Sequence, residues 1–125
     1  MAEALYVYLL SWRAFVPQQQ GFSNVYVLLS PEHYVIAPRG VVLLSLQLAF
    51  EIPVGYLGRI YSVADMNVRG VLIGAQELQP SSYWEVSVLL FNHSDNFFYG
   101  FRGQVVACLV LERVIFPPVL RASVV

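Results

Sequence analysis

The final three residues, Ser123-Val124-Val125, are the part of this sequence whose types and spacing point most directly to chemistry. A hydroxyl two places before a terminal apolar residue is the form in which PDZ domains capture a carboxyl end. The tail adds as a strand, backbone amides hold the carboxylate, and an apolar pocket takes the last side chain. Here Val125 would fill the pocket and Ser123 would pair with a histidine on the PDZ helix. Such tripeptides also arise by chance, so an ordinary frayed end is the alternative. His93-Ser94-Asp95 carries the residue types of a serine hydrolase, but neighbours in one turn cannot converge as a triad does. His33 and His93 are the only histidines and Cys108 the only cysteine. No disulfide and no Cys/His metal-ligand spacing follows from them. No catalytic residue, metal or cofactor is expected, and His93 and Cys108 read most simply as a loop residue and a small buried strand residue.

Composition narrows the function classes further. The chain has 125 residues, 58% of them hydrophobic and only 12% charged. That is apolar for a soluble monomer of one domain, and the surplus suits an oligomer interface. The apolar runs are too short for a membrane-spanning helix, which needs about 18 consecutive residues. The opening Met1-Ala2-Glu3-Ala4 lacks the basic cluster of a secretory signal. Eight carboxylates face seven basic residues, all arginine, for a net charge of -1. No basic stripe is present, which argues against nucleic acid as a partner. A lone cysteine fits a reducing compartment.

The elements that must position these groups read as strands. Leu5 to Leu10 and Val25 to Leu29 are continuous apolar runs. Val41 to Phe50 alternates, with Leu44, Leu46, Leu48 and Phe50 on one face. Trp84 to Phe91 places Val86, Val88 and Leu90 on one face. Val105 to Leu111 is apolar on both, as in a strand covered twice, by a second sheet or by a neighbouring subunit. Turn residues punctuate these runs at Pro38-Arg39-Gly40, Pro53-Val54-Gly55 and Asn92-His93-Ser94-Asp95, the last expected to be a hairpin leading to Phe97-Phe98-Tyr99. One helical turn is expected between Val63 and Arg69. Short strands at close spacing predict an all-β jelly-roll or β-barrel in a single domain. Pro117-Pro118 ends strand pairing and frees an extended tail. The boundaries are therefore residues 1–118 for the barrel and 119–125 for the tail.

Gly55-Tyr56-Leu57-Gly58-Arg59-Ile60, Val68-Arg69-Gly70, Gly74-Ala75, Val88 to Asp95 and Gly103 to Leu109 follow one another in a series that resembles the trimeric dUTPase family. The resemblance implies a dUTPase-like barrel and a homotrimer. It is carried by glycines, turns and strand apolars, and departs from the family where its chemistry lies. Val27 stands in the place of the aspartate that helps to hold the magnesium shell. Val63 and Ala64 replace the arginine and serine of the phosphate cradle, and Asp65 brings a negative charge to where an anion would lie. The aspartate that acts on the attacking water and the tyrosine that packs on the deoxyribose fall on Gln79 and Ser82. The fourth motif becomes Gly103-Gln104-Val105-Val106-Ala107-Cys108, and the glycine-rich fifth motif is not found.

The stretches Glu3 to Val7, Phe22 to Tyr26, Leu89 to His93 and Arg113 to Pro117 also resemble the adenoviral early region four, open reading frame one family, over essentially the whole chain. That resemblance implies a catalytically inert dUTPase relative and early viral oncoprotein in the host cell cytoplasm. It also implies partners: host PDZ-domain scaffold proteins, bound through Ser123, Val124 and Val125, and phosphoinositide 3-kinase signalling, engaged directly or indirectly. Recruitment to membrane-associated scaffolds would go with such partners. The loops offer a candidate partner surface at Asp65, Asn67, His93 and Phe97, because loops on a rigid barrel carry function. A solvated loop is the plain alternative for Asp65 and Asn67, and a core position for the aromatics. A working dUTP diphosphohydrolase with a rearranged site is the rival reading.

Overall fold

The computed structural model describes residues 3–80 and 82–125, and its regular secondary structure is almost entirely strand. In chain order they are β1 (Tyr6–Leu9), β2 (Gln18–Gln19), β3 (Val25–Leu29), β4 (Tyr34–Ile36), β5 (Val41–Glu51), β6 (Tyr56–Tyr61), β7 (Val71–Ile73), β8 (Gln76–Leu78), β9 (Tyr83–Asn92), β10 (Phe98–Gly100) and β11 (Val105–Arg113). One short helix, α1 (Ala64–Val68), interrupts them within the expected helical turn. Two larger sheets run β1-β5-β9-β7 and β2-β3-β11-β6-β8, and β10 pairs with β4 in a third. All ladders are antiparallel.

Period-two patterning explains why the two large sheets share a core. Leu44, Leu46, Leu48 and Phe50 of β5 and Val86, Val88 and Leu90 of β9 point inward, as their alternation predicts. They meet Leu28, Ile60, Leu78, Val106 and Leu109 from the five-stranded sheet in one cluster. Each such side chain contributes about 1.5–3 kcal/mol on burial. The β5–β9 ladder is interrupted between the pairs Ser45↔Ser87 and Ala49↔Glu85. Four residues advance on β5 against two on β9, so the surplus is even and the inward parity of Leu44 and Phe50 is kept. Gln47, inside that irregularity, has φ 57°.

Close packing also fixes a glycine. A Cβ on Gly58 would lie 3.2 Å from the Cδ1 atoms of both Ile52 and Leu109. A side chain there would push Ile52, Leu109 and Leu78 aside by a few tenths of an ångström.

The apolar run Leu5 to Leu10 forms an edge strand, Tyr6–Leu9, with Tyr6, Tyr8 and Leu9 exposed. Several expectations are corrected. β11 is the centre of its sheet, but only its inward side is fully covered. Cys108 and Val110 on the outer side are half-buried, because a single chain places no second layer there. Asn92 to Asp95 is not a hairpin. β9 pairs with β5 and β7, while β10 pairs with β4, so the loop crosses between sheets. Of the three aromatics after it, only Phe98 is buried. Beyond Arg113 the chain leaves the sheet after one bond from Val114 N to Gly55 O, 2.8 Å. Residues 119–125 form no strand and stand in solvent.

One buried amide ties the loops at this end. Asn92, 2% exposed, donates through Nδ2 to the carbonyls of Ile36, Ala37 and Asn96, at 3.1, 3.2 and 2.8 Å. Its Oδ1 accepts from the backbone N–H and hydroxyl of Ser94. Asn92→Ala removes the donor from three carbonyls and is expected to cost about 2–4 kcal/mol. Urea unfolding of the two proteins measures this directly; a loss under about 1 kcal/mol would mean that water replaces the amide.

Candidate functional site

Two of the places where the dUTPase motifs carry chemistry, Val27 and Cys108, lie side by side on the outer face of the five-stranded sheet. Cys108 is registered against Val27 of β3 on one side and Tyr61 of β6 on the other. The row therefore carries an isopropyl group, a thiol and a phenol, with no carboxylate. The Cys108 Sγ lies 3.9 Å from the Tyr61 carbonyl oxygen, and burial pushes its thiol up from the ordinary value. β6 leads directly into α1, whose N-cap Val63 makes no side-chain capping bond. Ser62 Oγ is taken up by the Ile73 N–H at 2.9 Å. Asn67 lines the adjoining cleft of about 670 Å³, together with Arg59, Tyr61, Gln76 and Glu77. Arg59 is held there by Glu77, 3.3 Å away, and Glu112 at 3.8 Å.

The second cluster lies where the C-terminal end of α1 meets the loop after β9. His93 N–H donates to the Gly70 carbonyl at 2.8 Å. Gly70, with φ 86°, lets Ser94 pack against it; a Cβ there would lie 3.2 Å from the Ser94 Cβ. Arg69, Phe97, Phe98, Tyr99 and Phe101 line a cleft of about 570 Å³. Asp65 is not a free charge facing this cleft: its Oδ2 lies 3.2 Å from Arg69 Nη2, an exposed i,i+4 pair worth about 0.3–0.5 kcal/mol. His93 stands exposed against Phe91, ring centroids 6.3 Å apart, and Phe97 against Tyr99 at 6.4 Å. Asp65, His93 and Phe97 thus gather at one edge, while Asn67 belongs to the neighbouring cleft. Ser123, Val124 and Val125 make no hydrogen bond to the body among the described residues, and Val125 is fully exposed.

Three further residues shape this edge, of which Arg69 stood in the Val68-Arg69-Gly70 motif. Arg39 bonds Asp95 Oδ1 through Nε and Nη2, at 3.0 and 2.9 Å. The Arg69 guanidinium lies 4.7 Å from the Phe98 ring centre. Tyr34, packed on Phe98 and Gly100, is pushed up to about 12 by burial, against the opposing charge of Arg69. The sequence signals among these were the Val68-Arg69-Gly70 motif and the Pro38-Arg39-Gly40 turn, which sets Arg39 at φ 60° beside the loop. Tyr34 gave no such signal, because its partner Phe98 comes from a strand distant in sequence.

Comparison with known proteins follows the same lines. The dUTPase family profile matches residues 11–122. The chain superimposes on a dUTPase from Staphylococcus bacteriophage 80alpha with a TM-score of 0.87 and 18% identity, covering 99% of this chain and 90% of that one. The chain belongs to the dUTPase family. It is 49% identical over 121 residues to the Early 4 ORF1 protein of Human adenovirus C serotype 2, covering 97% of this chain and 94% of that protein. It is 42% identical over 125 residues to E4-ORF1 of Human adenovirus D serotype 9, covering all of both. Its place is in this adenoviral Early 4 ORF1 branch. Among the described residues no helix is long and apolar enough to cross a membrane.

Two titrations follow from the site. The Tyr34 phenol binds its proton more tightly folded than unfolded, so the stability it confers is complete below about pH 10 and is lost as pH rises toward about 12. Alkaline unfolding should accordingly be less steep in Tyr34→Phe, as read from denaturation curves at several pH values. Cys108, with its thiol pushed up, should alkylate more slowly at neutral pH than a free cysteine peptide, measured by mass spectrometry of iodoacetamide adducts.

Proposed function

We propose that this chain is a non-enzymatic viral adaptor that recruits host proteins on a dUTPase-like body. With Val125 as the terminal residue, Ser123, Val124 and Val125 dock into PDZ domains of host scaffold proteins. The body engages phosphoinositide 3-kinase, directly or through those scaffolds, and so promotes growth signalling from the host cytoplasm. The single observation that carries this reading is the free run of residues 119–125 beyond Pro117-Pro118, which no strand of its own body claims. A PDZ domain adds its ligand as a strand and so needs unpaired backbone and an uncovered last side chain.

The absence of hydrolysis belongs to the same proposal. Val27, Val63, Ala64, Gln79, Ser82, Gln104 and Cys108 occupy the family's chemical positions. A general base alone is worth about 10² to 10⁴ in rate, and positioned charge supplies more. Asp65, His93 and Phe97 at one edge, with Asn67 in the adjoining cleft, offer surface to the kinase or another partner. If the body assembles as a homotrimer, three tails project from one particle. A micromolar tail contact is worth about 8 kcal/mol, and linked engagement of a multi-PDZ scaffold raises apparent affinity about 10² to 10⁴-fold where the spacing fits. The rival reading, a dUTP diphosphohydrolase with a rearranged site, draws on the family and on the cleft beside Arg59.

Fluorescence polarisation against purified PDZ domains tests the tail. Deleting Val125, or Ser123→Asp, should weaken binding by at least about tenfold with no change in melting temperature. Undiminished capture of PDZ proteins after loss of Val125 would reject the tail as the docking element. Pyrophosphate release from dUTP with magnesium should stay at the buffer rate. Appreciable turnover would restore the enzyme reading.

A further inference from the structure

Six of the eight carboxylates in this chain lie within 4.0 Å of an arginine nitrogen: Glu3, Glu32, Asp65, Glu77, Asp95 and Glu112. The other two, Glu51 and Glu85, have no such partner among the described residues, and they share one surface. The register of three strands sets them on the outer face of the four-stranded sheet. Glu51 of β5 is flanked by Tyr6 of β1 and Tyr83 of β9; one row along, Ala49 of β5 is flanked by Tyr8 and Glu85. Ala49 is fully covered while Tyr6, Tyr8 and Tyr83 are 51%, 42% and 51% exposed. The small residue makes a floor and the rings and carboxylates make the walls.

Local contacts give that surface one sign. The Tyr8 and Tyr83 ring centroids are 5.5 Å apart at 58°. The Tyr8 hydroxyl donates to Glu51 Oε2 at 3.1 Å, and that bond together with the carboxylate charge raises the phenol's proton affinity. Tyrosine rings present a negative face to a cation, and two carboxylates without a counter-ion add to it. Everywhere else the chain matches its acids with arginines. Arg102 is stacked on Phe15 and Arg121 lies in the tail, so neither supplies this face.

We propose that Tyr6, Tyr8, Tyr83, Glu51 and Glu85 form a docking surface for a basic segment of a partner protein, with an arginine or lysine side chain seated between the tyrosine rings and the two carboxylates. The surface is formed by β1, β5 and β9, and its occupant is recognised by cationic charge, whereas a PDZ domain reads a terminal carboxylate. The two contacts can be lost separately.

The full-length protein and a fluorescein-labelled peptide alternating arginine and leucine provide the test, with a peptide carrying citrulline for arginine as control. Saturable binding is expected for the arginine peptide, falling as salt is raised. It should weaken about tenfold in the double variant E51Q/E85Q and about threefold in Tyr83→Leu. Glu85 and Tyr83 are exposed and Glu51 half-buried at the surface, and an unchanged melting temperature confirms the fold. Equal binding by the double variant, equal binding of the citrulline peptide, or no saturable binding would overturn the proposal. So would a change of oligomeric state in E51Q/E85Q by sedimentation, which would make this face a contact between copies of the chain. Val125 deletion leaves the expected peptide affinity unchanged.

Discussion

The Asn92 amide is the interaction on which the loop-bearing end of this molecule depends. It sits at the last position of β9, where the chain must leave one sheet for another. Three carbonyls converge on its Nδ2, from the end of β4, the following turn and the loop leading to β10. A buried carbonyl left without a donor costs about 1–3 kcal/mol, so this side chain decides where three segments can stop. The Arg39–Asp95 ion pair lies outside the same crossing and is exposed, so it contributes little to stability. Asn92-His93-Ser94 has the form of a glycosylation sequon, yet the amide is buried and fully bonded, so its role is structural.

Around that tie, strand register rather than loop chemistry decides what the surfaces can do. Each outward row collects one side chain from each neighbouring strand, whatever their distance in sequence. On the five-stranded sheet this brings Val27, Cys108 and Tyr61 side by side, and the row is poor in charge. On the four-stranded sheet it brings three tyrosines and two glutamates together. A body that keeps its inward pattern can exchange these outer rows freely, since they face away from the core. The same barrel that holds a nucleotide-binding family can therefore present quite different chemistry outside.

Much of the architecture was legible beforehand. The alternation in β5 and β9 and the helical turn before Arg69 follow from period; β11 ends at Arg113, before the prolines expected to stop it. The glycines and turns that carry the dUTPase resemblance led to the right family. The hairpin expected at Asn92 failed because loop residues specify a turn but not the strand that is joined next. Cys108 and Val110 were expected to be covered by a second sheet or by a neighbouring subunit; the chain's own sheets do not supply that cover. At the edge near α1, Asp65, Asn67, His93 and Phe97 were legible as loop residues. Their division between two clefts, and the ion pair that occupies Asp65, were not.

The order of residues by itself determined the inward faces of the strands, the points where strands end and the side chains missing from the family's chemical positions. Each of these is a local property, set by alternation, by the backbone limits of proline and glycine, or by the identity of one side chain. Tertiary structure alone decided which strands are neighbours, and hence that Glu51 and Glu85 lack arginine partners while sharing a face with Tyr6, Tyr8 and Tyr83. Charge pairing acts over a few ångströms of space, and only the antiparallel register brings residues 77 positions apart, such as Tyr6 and Tyr83, to the same row on either side of Glu51.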